Sequence, residues 1–363
     1  MKKLVFRLIA LILTAYIGWT AWQAASFKRY AGAPASTPPS GAGPPFEIEG
    51  AYHSHSRFSD GRKGVDAIAA AAEKAGLEFV ILTDHGNPNN PSLDSQGLRS
   101  RVLMLAGSEM STNRGHLVAM GFKRPGPATT FSRQAEAAAA EVASLGGITV
   151  IAHPYSKTRW SWGEALVYDG IEILNGDGLI KDSVARTLFN APLFLIRPTA
   201  ALLRLVNPPD ASLRKWDEML RRRPVLGFYS ADAHAFYRAV FSVFHLHVLL
   251  DWPLPADFES AREAIFDALA SGRFFSAVDG AASARGFRAV LDGSSLRVST
   301  PFDFAHEILL VREGKVVARS GGPGAELALD SPGAYRVEVH LRERTPLRPG
   351  VPWIISNPFV VER

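Results

Sequence analysis

The chain has no cysteine among its 363 residues, which excludes disulfides and thiolate metal sites. Any metal must therefore be held by His, Asp and Glu. No excess of one charge stands out: 40 Lys and Arg face 35 Asp and Glu, too mild a balance to argue for a nucleic-acid partner. Arg221 to Arg223 is the one dense basic run. It reads as a solvated helix end, with an anionic ligand or a membrane surface as the alternative.

Long apolar runs are equally scarce, and the clearest is at the N-terminus. Lys2, Lys3 and Arg7 precede an apolar stretch from Leu8 to Phe27 that Lys28 and Arg29 close. As a helix, about 20 residues rise ~30 Å, enough to cross a bilayer. The segment, residues 1–30, is expected to be an uncleaved anchor. A cleaved signal peptide is the alternative, since Ala24 and Ser26 offer small residues at suitable spacing. The heavier positive flank before the span orients the rest of the chain outside the cytoplasm. Residues 31–45, AGAPASTPPSGAGPP, lack apolar periodicity and read as a linker.

With 47% hydrophobic residues, the remainder can bury a sizeable core, and its length suggests about two domains. From residue 46, strand-like and helix-like segments alternate. FEIEGAY leads to His53 and His55, and a helical face of Val65, Ile68, Ala69 and Ala72 is ended by Gly76. EFVILT then runs into Asp84 and His85. RVLMLA runs into Glu109, GITVIA into His153, GIEIL into Asn175, and RPVLGFY into Asp232 and His234. Each candidate ligand follows the C-terminal end of an expected strand. In a barrel of parallel strands those ends share one mouth, where catalytic groups collect. His53 and His55, two apart on an extended segment, share a face and can grip one metal. Only six residues separate Glu109 from His116, too few for a parallel crossover, so an antiparallel hairpin or a sharp excursion is expected there.

HSHSRFSDG, TDH, SEMSTNRGH, AHPY and SADAH, in that order, resemble the successive motifs of the PHP (polymerase and histidinol phosphatase) family across roughly residues 47 to 280. The ending PWIISNPFVV is similar, more loosely, to that of the branch including carbaryl-hydrolase-like metallohydrolases. The resemblance implies an α/β fold: a distorted seven-stranded (β/α) barrel at 46–283, with two or three divalent metals and phosphoester hydrolysis. It would place His53, His55, Glu109 and Asp232 on one metal and Glu109, His116 and His153 on a second. Asp60, His85 and His234 would hold a third. Asp232 and His234 of SADAH are the expected catalytic pair. Asp84, Glu172 and Asn175 are expected behind the ligands, orienting them.

Outside this set, His245 and His247 form a second HxH without an adjacent carboxylate. It is read as a sheet face, with an accessory metal as the alternative. His306 and His340 read as structural, and Trp160 and Trp162 as loop packing. Residues 179–208 are apolar but broken by Pro192, Arg197, Pro198 and Arg204, which argues for a helical excursion, packed on the barrel or touching the membrane surface, over a second span. Residues 284–363 alternate short strands with Gly-rich turns and suggest a small β-sandwich.

The chemistry follows from charge. A bound divalent metal lowers the pKa of water toward ~7 and neutralises oxygens where negative charge develops. Mn, Fe and Zn all suit His/carboxylate ligands. Arg114, Lys157 and Arg159 are candidate phosphate contacts. The expected function is thus a phosphomonoesterase or phosphodiesterase using metal-activated water on a small, membrane-accessible phosphoester, with no nucleic-acid partner. Hydrolysis of a carboxylic ester or carbamate, or non-catalytic binding at a cell surface, are the alternatives.

Overall fold

The computed structural model describes residues 2–30, 45–156, 159–181, 184–300 and 302–362. The expected linker, apart from Pro45, and the candidate Lys157 lie outside the described residues. The fold is mixed α/β. Strand Phe46–Tyr52 pairs in parallel with Phe79–Leu82, and that strand with Val102–Ala106. A second parallel set runs from Ile148–Ile151 through Gly170–Asn175 to Leu226–Ser230. Between the two sets, Ser108–Thr112 and Gly115–Met120 form an antiparallel hairpin, whose second strand runs antiparallel to Ile148–Ile151. The short spacing between Glu109 and His116 allows this turn and no crossover.

These strands are apolar on both faces because both faces are covered. Phe79 and Ile81 pack with Tyr52, Leu103, Leu105, Val118, Val150 and Phe228, closed below by Ile265, Phe266 and Leu269 of the helix Phe258–Ala270. Val80 and Leu82 point the other way, onto Ile68, Ala69 and Ala72 of the helix Val65–Ala75. That helix ends as expected at Gly76, whose φ of 84° lies in the left-handed region glycine tolerates.

The C-terminal residues do not form a sheet of their own throughout. His245–Leu250 runs antiparallel to Phe46–Tyr52, Phe274–Ala277 to His245–Leu250, and Ile354–Ser356 to Phe274–Ala277. Through Gly333–Leu341 the same sheet continues to His306–Arg312 and Lys315–Gly321. Arg288–Asp292, Ser295–Ser299 and Gly324–Ala328 make a separate three-stranded sheet. An open strand edge carries unpaired N–H and C=O groups, and the fully buried Ile354–Ser356 satisfies that of Phe274–Ala277.

The same segment braces the strand that precedes Asp232. Buried Asn357 accepts from Gly227 N at 2.9 Å and donates to Phe274 O at 3.0 Å. Tyr229 Oη donates to Pro352 O, and Trp353 Nε1 to Ala282 O, both at 2.9 Å.

The N-terminal helix Lys2–Ser26 is long and apolar enough to cross a membrane, and most of its length is exposed. Its last turns are held by the 179–208 region, which folds into the short helices Gly176–Lys181, Val184–Phe189, Ala191–Ile196 and Pro198–Leu205. Ala24 packs with Leu193, Ala200 and Ala201, and Trp19 meets Phe189 at 5.1 Å between ring centres. Beyond the helix, Arg29 Nε donates to Asp279 O at 2.7 Å, and Tyr30 exchanges main-chain bonds with Ala281 and Ser283. The helix is therefore fastened to the globular part before the proline-rich segment begins.

Replacing Asn357 with Ala leaves Gly227 N and Phe274 O buried without partners, a loss of about 1–3 kcal/mol for each such group. Urea unfolding should show a lower midpoint for Asn357→Ala with an unchanged slope.

Candidate metal centre

Most of the ligand residues sit just past the ends of the parallel strands, Glu109 and His116 lie on the antiparallel hairpin, and main-chain bonds carry the pairing a few residues further. Ala231 N donates to Tyr52 O at 2.9 Å, His55 N to Ala233 O at 3.0 Å and Thr83 N to Ser54 O at 2.8 Å. Glu109 N donates to Asp84 O at 3.2 Å, and Ala152 N to His116 O at 3.1 Å. His53, His153 and Asp232 all take positive φ (65°, 28° and 41°). For non-glycine residues this costs about 1–3 kcal/mol each, and it turns the three side chains inward at the strand ends. Gly61, next to Asp60, is needed for its size: a Cβ there would lie 2.2 Å from His55 O.

All nine side chains expected as ligands converge. Buried Glu109 is central: Oε1 lies 2.8 Å from His116 Nδ1 and 2.9 Å from His153 Nε2, while Oε2 lies 3.2 Å from both His55 Nε2 and His85 Nδ1 and 3.4 Å from His53 Nε2. Asp232 Oδ1 lies 3.4 to 3.5 Å from His53 Nε2, His55 Nε2 and His234 Nδ1. Asp60, the most exposed member, faces His55, His85 and His234 at 3.4, 3.6 and 3.3 Å. Three overlapping groups have the compactness of metal sites: His53, His55 and Asp232; His85, Glu109 and His116; and His55, Asp60, His85 and His234.

The residues fit a cation on grounds beyond proximity. Asp232 Oδ1 and His85 Nδ1 are buried yet have no hydrogen-bond partner among the described residues. His53 Nδ1 lies 2.7 Å from Glu172 Oε1, so that nitrogen carries a proton, and in the neutral, metal-binding form of the ring Nε2 turns a lone pair into the cluster, where His55 Nε2 is 3.1 Å away. An imidazole that gives its outer N–H to a carboxylate and its inner nitrogen to the centre is the usual state of a metal-bound histidine.

The electrostatics agree. Burial alone favours neutral histidines, but Asp232, Glu172 and Glu109 outweigh it and raise His53 well above the ordinary histidine value. His55, also buried, is raised to about 9 by Asp232 and Glu109. Burial likewise opposes the charge on Glu109 and Asp232, yet the histidines around them, His53 foremost, hold both well below the usual carboxylate range. The field that retains protons here equally favours a divalent cation, with the carboxylates already ionised.

Behind the cluster, Glu172 joins three groups. It receives His53 Nδ1, His153 N at 2.7 Å and Asn175 Nδ2 at 2.8 Å. Asp84 accepts from Ser56 N and Oγ at 2.7 and 2.8 Å and from Ser59 Oγ at 2.6 Å, fixing the loop between His55 and Asp60.

The candidate phosphate contacts are placed differently from expectation. Arg114 turns away to pair with Glu136 and to donate to Ser161 O at 3.2 Å, because Glu136, on the helix Ala135–Ser144, supplies a nearer carboxylate. Arg159 is exposed, and neither arginine lines the cavity of about 430 Å³ over the cluster. Among the described residues, the lysine that lines it is Lys181, paired with Asp177 across one turn of the helix Gly176–Lys181. Sequence gave no signal for this pair beyond its position after the IEILN strand.

No protein-family model matches the chain, and no curated protein matches it. Solved structures do. A two-domain protein of Bacteroides vulgatus, described as containing a predicted PHP-like metal-dependent phosphoesterase, is 15% identical over 92% of this chain and all of its own, with a TM-score of 0.43. A provisionally named metal-dependent phosphoesterase of Bifidobacterium adolescentis is 15% identical over 51% of this chain and 87% of its own, with a TM-score of 0.32. An amidohydrolase of Chromobacterium violaceum, with bound sulfate and no metal, is 15% identical over 52% and 88%, with a TM-score of 0.31.

Glu172→Gln keeps the size of the side chain and removes the charge that orients His53. Metal titration should show about 10–100-fold weaker binding with unchanged circular dichroism, the range for loss of such an outer partner. Elemental analysis of His53→Ala combined with Asp232→Ala should show less metal per chain than the wild type, because the ion between them loses two ligands.

Proposed function

We propose that the chain is a PHP-type metal-dependent phosphoesterase that hydrolyses phosphomonoesters or phosphodiesters. The observation that carries this reading is the convergence of six histidines and three carboxylates in one cluster, seven of which line an accessible cavity while His53 and His55 lie buried behind it. Supporting a distorted seven-stranded barrel is the run of main-chain bonds from Phe46–Tyr52 through Phe79–Leu82, Val102–Thr112, the 115–120 hairpin strand, Ile148–Ile151 and Gly170–Asn175 to Leu226–Ser230, and back to Tyr52. Two or three divalent ions (Mn, Fe or Zn), held by the nine residues with Glu109 shared, would supply Lewis acidity and a water of lowered pKa.

The chain's own groups do the rest. Glu172 and Asp84 hold the ligand shell in place, so that little reorganisation is needed when charge builds on the substrate. Lys181 Nζ is positioned to meet a phosphate oxygen at the cavity wall, exchanging Asp177 for substrate. His234, half-buried with Nε2 toward Asp60, is one of the nine ligands and lines the cavity that a substrate would enter.

The membrane reading rests on the apolar helix Lys2–Ser26 and on Leu188, Phe189, Leu195 and Ile196, exposed on the helices that hold its end. We infer an anchored enzyme, catalytic part extracytoplasmic, acting on small or membrane-presented phosphoesters.

A panel of phosphomonoesters, phosphodiesters, aryl carboxylic esters and carbamates, assayed with and without chelator, tests the reaction class. Chelator-sensitive turnover on a phosphoester is expected, and fastest turnover on a carboxylic ester or carbamate would overturn it. On the preferred phosphoester, Lys181→Ala should lower kcat/KM about 10–100-fold, the worth of one charge-assisted hydrogen bond of about 1.5–3 kcal/mol.

A further inference from the structure

A second cluster of metal-type ligands lies away from the cavity, on the sheet face opposite Ile48 and Tyr52. His245 and His247 share that face because they are two apart on one strand. Glu49 is the register partner of His247, and Asp279 follows the strand whose Ala277 lies opposite His245. All four side chains are buried, and one donor atom from each lies within 4.8 Å of the others. His247 Nε2 is 2.7 Å from Asp279 Oδ2; His245 Nδ1 is 3.0 Å from Glu49 Oε2 and 3.8 Å from Asp279 Oδ2.

Each ligand has its outer atom fixed and its inner atom turned to one point. His245 Nε2 donates to Phe241 O at 2.7 Å, and since a carbonyl only accepts, that nitrogen carries the proton. His247 Nδ1 lies 2.7 Å from Glu47 Oε1, whose charge is held by Arg288. Glu49 Oε1 is taken by Arg285, while Asp279 Oδ1 is taken by Ala284 N at 3.0 Å and Arg29 at 3.3 Å. In neutral rings the inner nitrogens are then lone pairs facing carboxylate oxygens, which repel unless a cation or extra protons lie between them. This is the outer-partner pattern of metal-binding histidines, found here on both rings.

We propose that Glu49, His245, His247 and Asp279 form a closed, four-coordinate structural site for a zinc-type divalent ion, separate from the candidate active site. Two imidazole nitrogens and two carboxylate oxygens suit zinc, whose ligands at ~2.0–2.2 Å lie about 3.3 Å apart in a tetrahedron. Burial of all four ligands leaves no position open to substrate, so the ion is structural. It ties the strands Phe46–Tyr52 and His245–Leu250 to the Asp279 turn. Through Arg29 it also secures the segment that follows the N-terminal helix.

The rival is a network closed by protons alone, and the two separate experimentally. Full-length protein in detergent is stripped with chelator, reloaded with a few equivalents of zinc, dialysed and crystallised, and anomalous difference maps are taken on both sides of the zinc edge. A zinc peak between His245 Nδ1 and His247 Nε2 is expected. Its absence in crystals that carry zinc among His53, His55 and Asp232 overturns the site and leaves the catalytic reading standing. In solution, zinc should raise the melting temperature of chelator-stripped His53→Ala/Asp232→Ala protein. That shift should vanish when His245→Gln and His247→Gln are added, and an equal shift with and without them also overturns the site.

Discussion

One buried carboxylate, Glu109, organises the centre of this molecule. Five histidines approach its two oxygens within 3.4 Å, and it lies buried at the start of a hairpin. Taking such a charge out of water costs several kcal/mol, and only a dense set of positive or polarising partners offsets that. The rest of the site can be read as the means of assembling those partners. Parallel strands bring distant residues to one mouth, left-handed backbone at His53, His153 and Asp232 turns them inward, and Glu172 and Asp84 fix the rings and the loop.

That arrangement divides the work between ends of the fold. The apolar rows of Phe79, Ile81, Leu103, Val118 and Phe228 fill the interior, so the side chains at the mouth can be polar and strained while the core is not. The C-terminal segment acts at a distance: Asn357 and Ser356 pair with strand Leu226–Ser230 and its neighbours, the strand that carries Asp232. Stability and chemistry thus meet at Asp232 from opposite directions.

Much of the metal cluster was legible in the sequence, because ligands that follow β-strands keep recognisable spacings: His53 with His55, Glu109 with His116, Asp232 with His234. What was not legible depended on partners far along the chain. Arg114 is drawn off by Glu136, and Lys181 enters the cavity from a helix that only tertiary packing places there. His245 and His247 read as a sheet face, with an accessory metal only as the alternative, because their carboxylates, Glu49 and Asp279, come from elsewhere in the chain. The pairing of Phe274–Ala277 with Ile354–Ser356 was not legible either, since edge pairing between segments about 80 residues apart leaves no local pattern.

The central claim is that Glu109 joins neighbouring divalent ions in one reactive centre. Low-temperature electron paramagnetic resonance of protein loaded with increasing Mn addresses it directly. The account predicts that beyond one equivalent the spectrum becomes that of exchange-coupled manganese, and that Glu109→Gln abolishes the coupling. Isolated six-line manganese at every loading of the wild-type protein would contradict it.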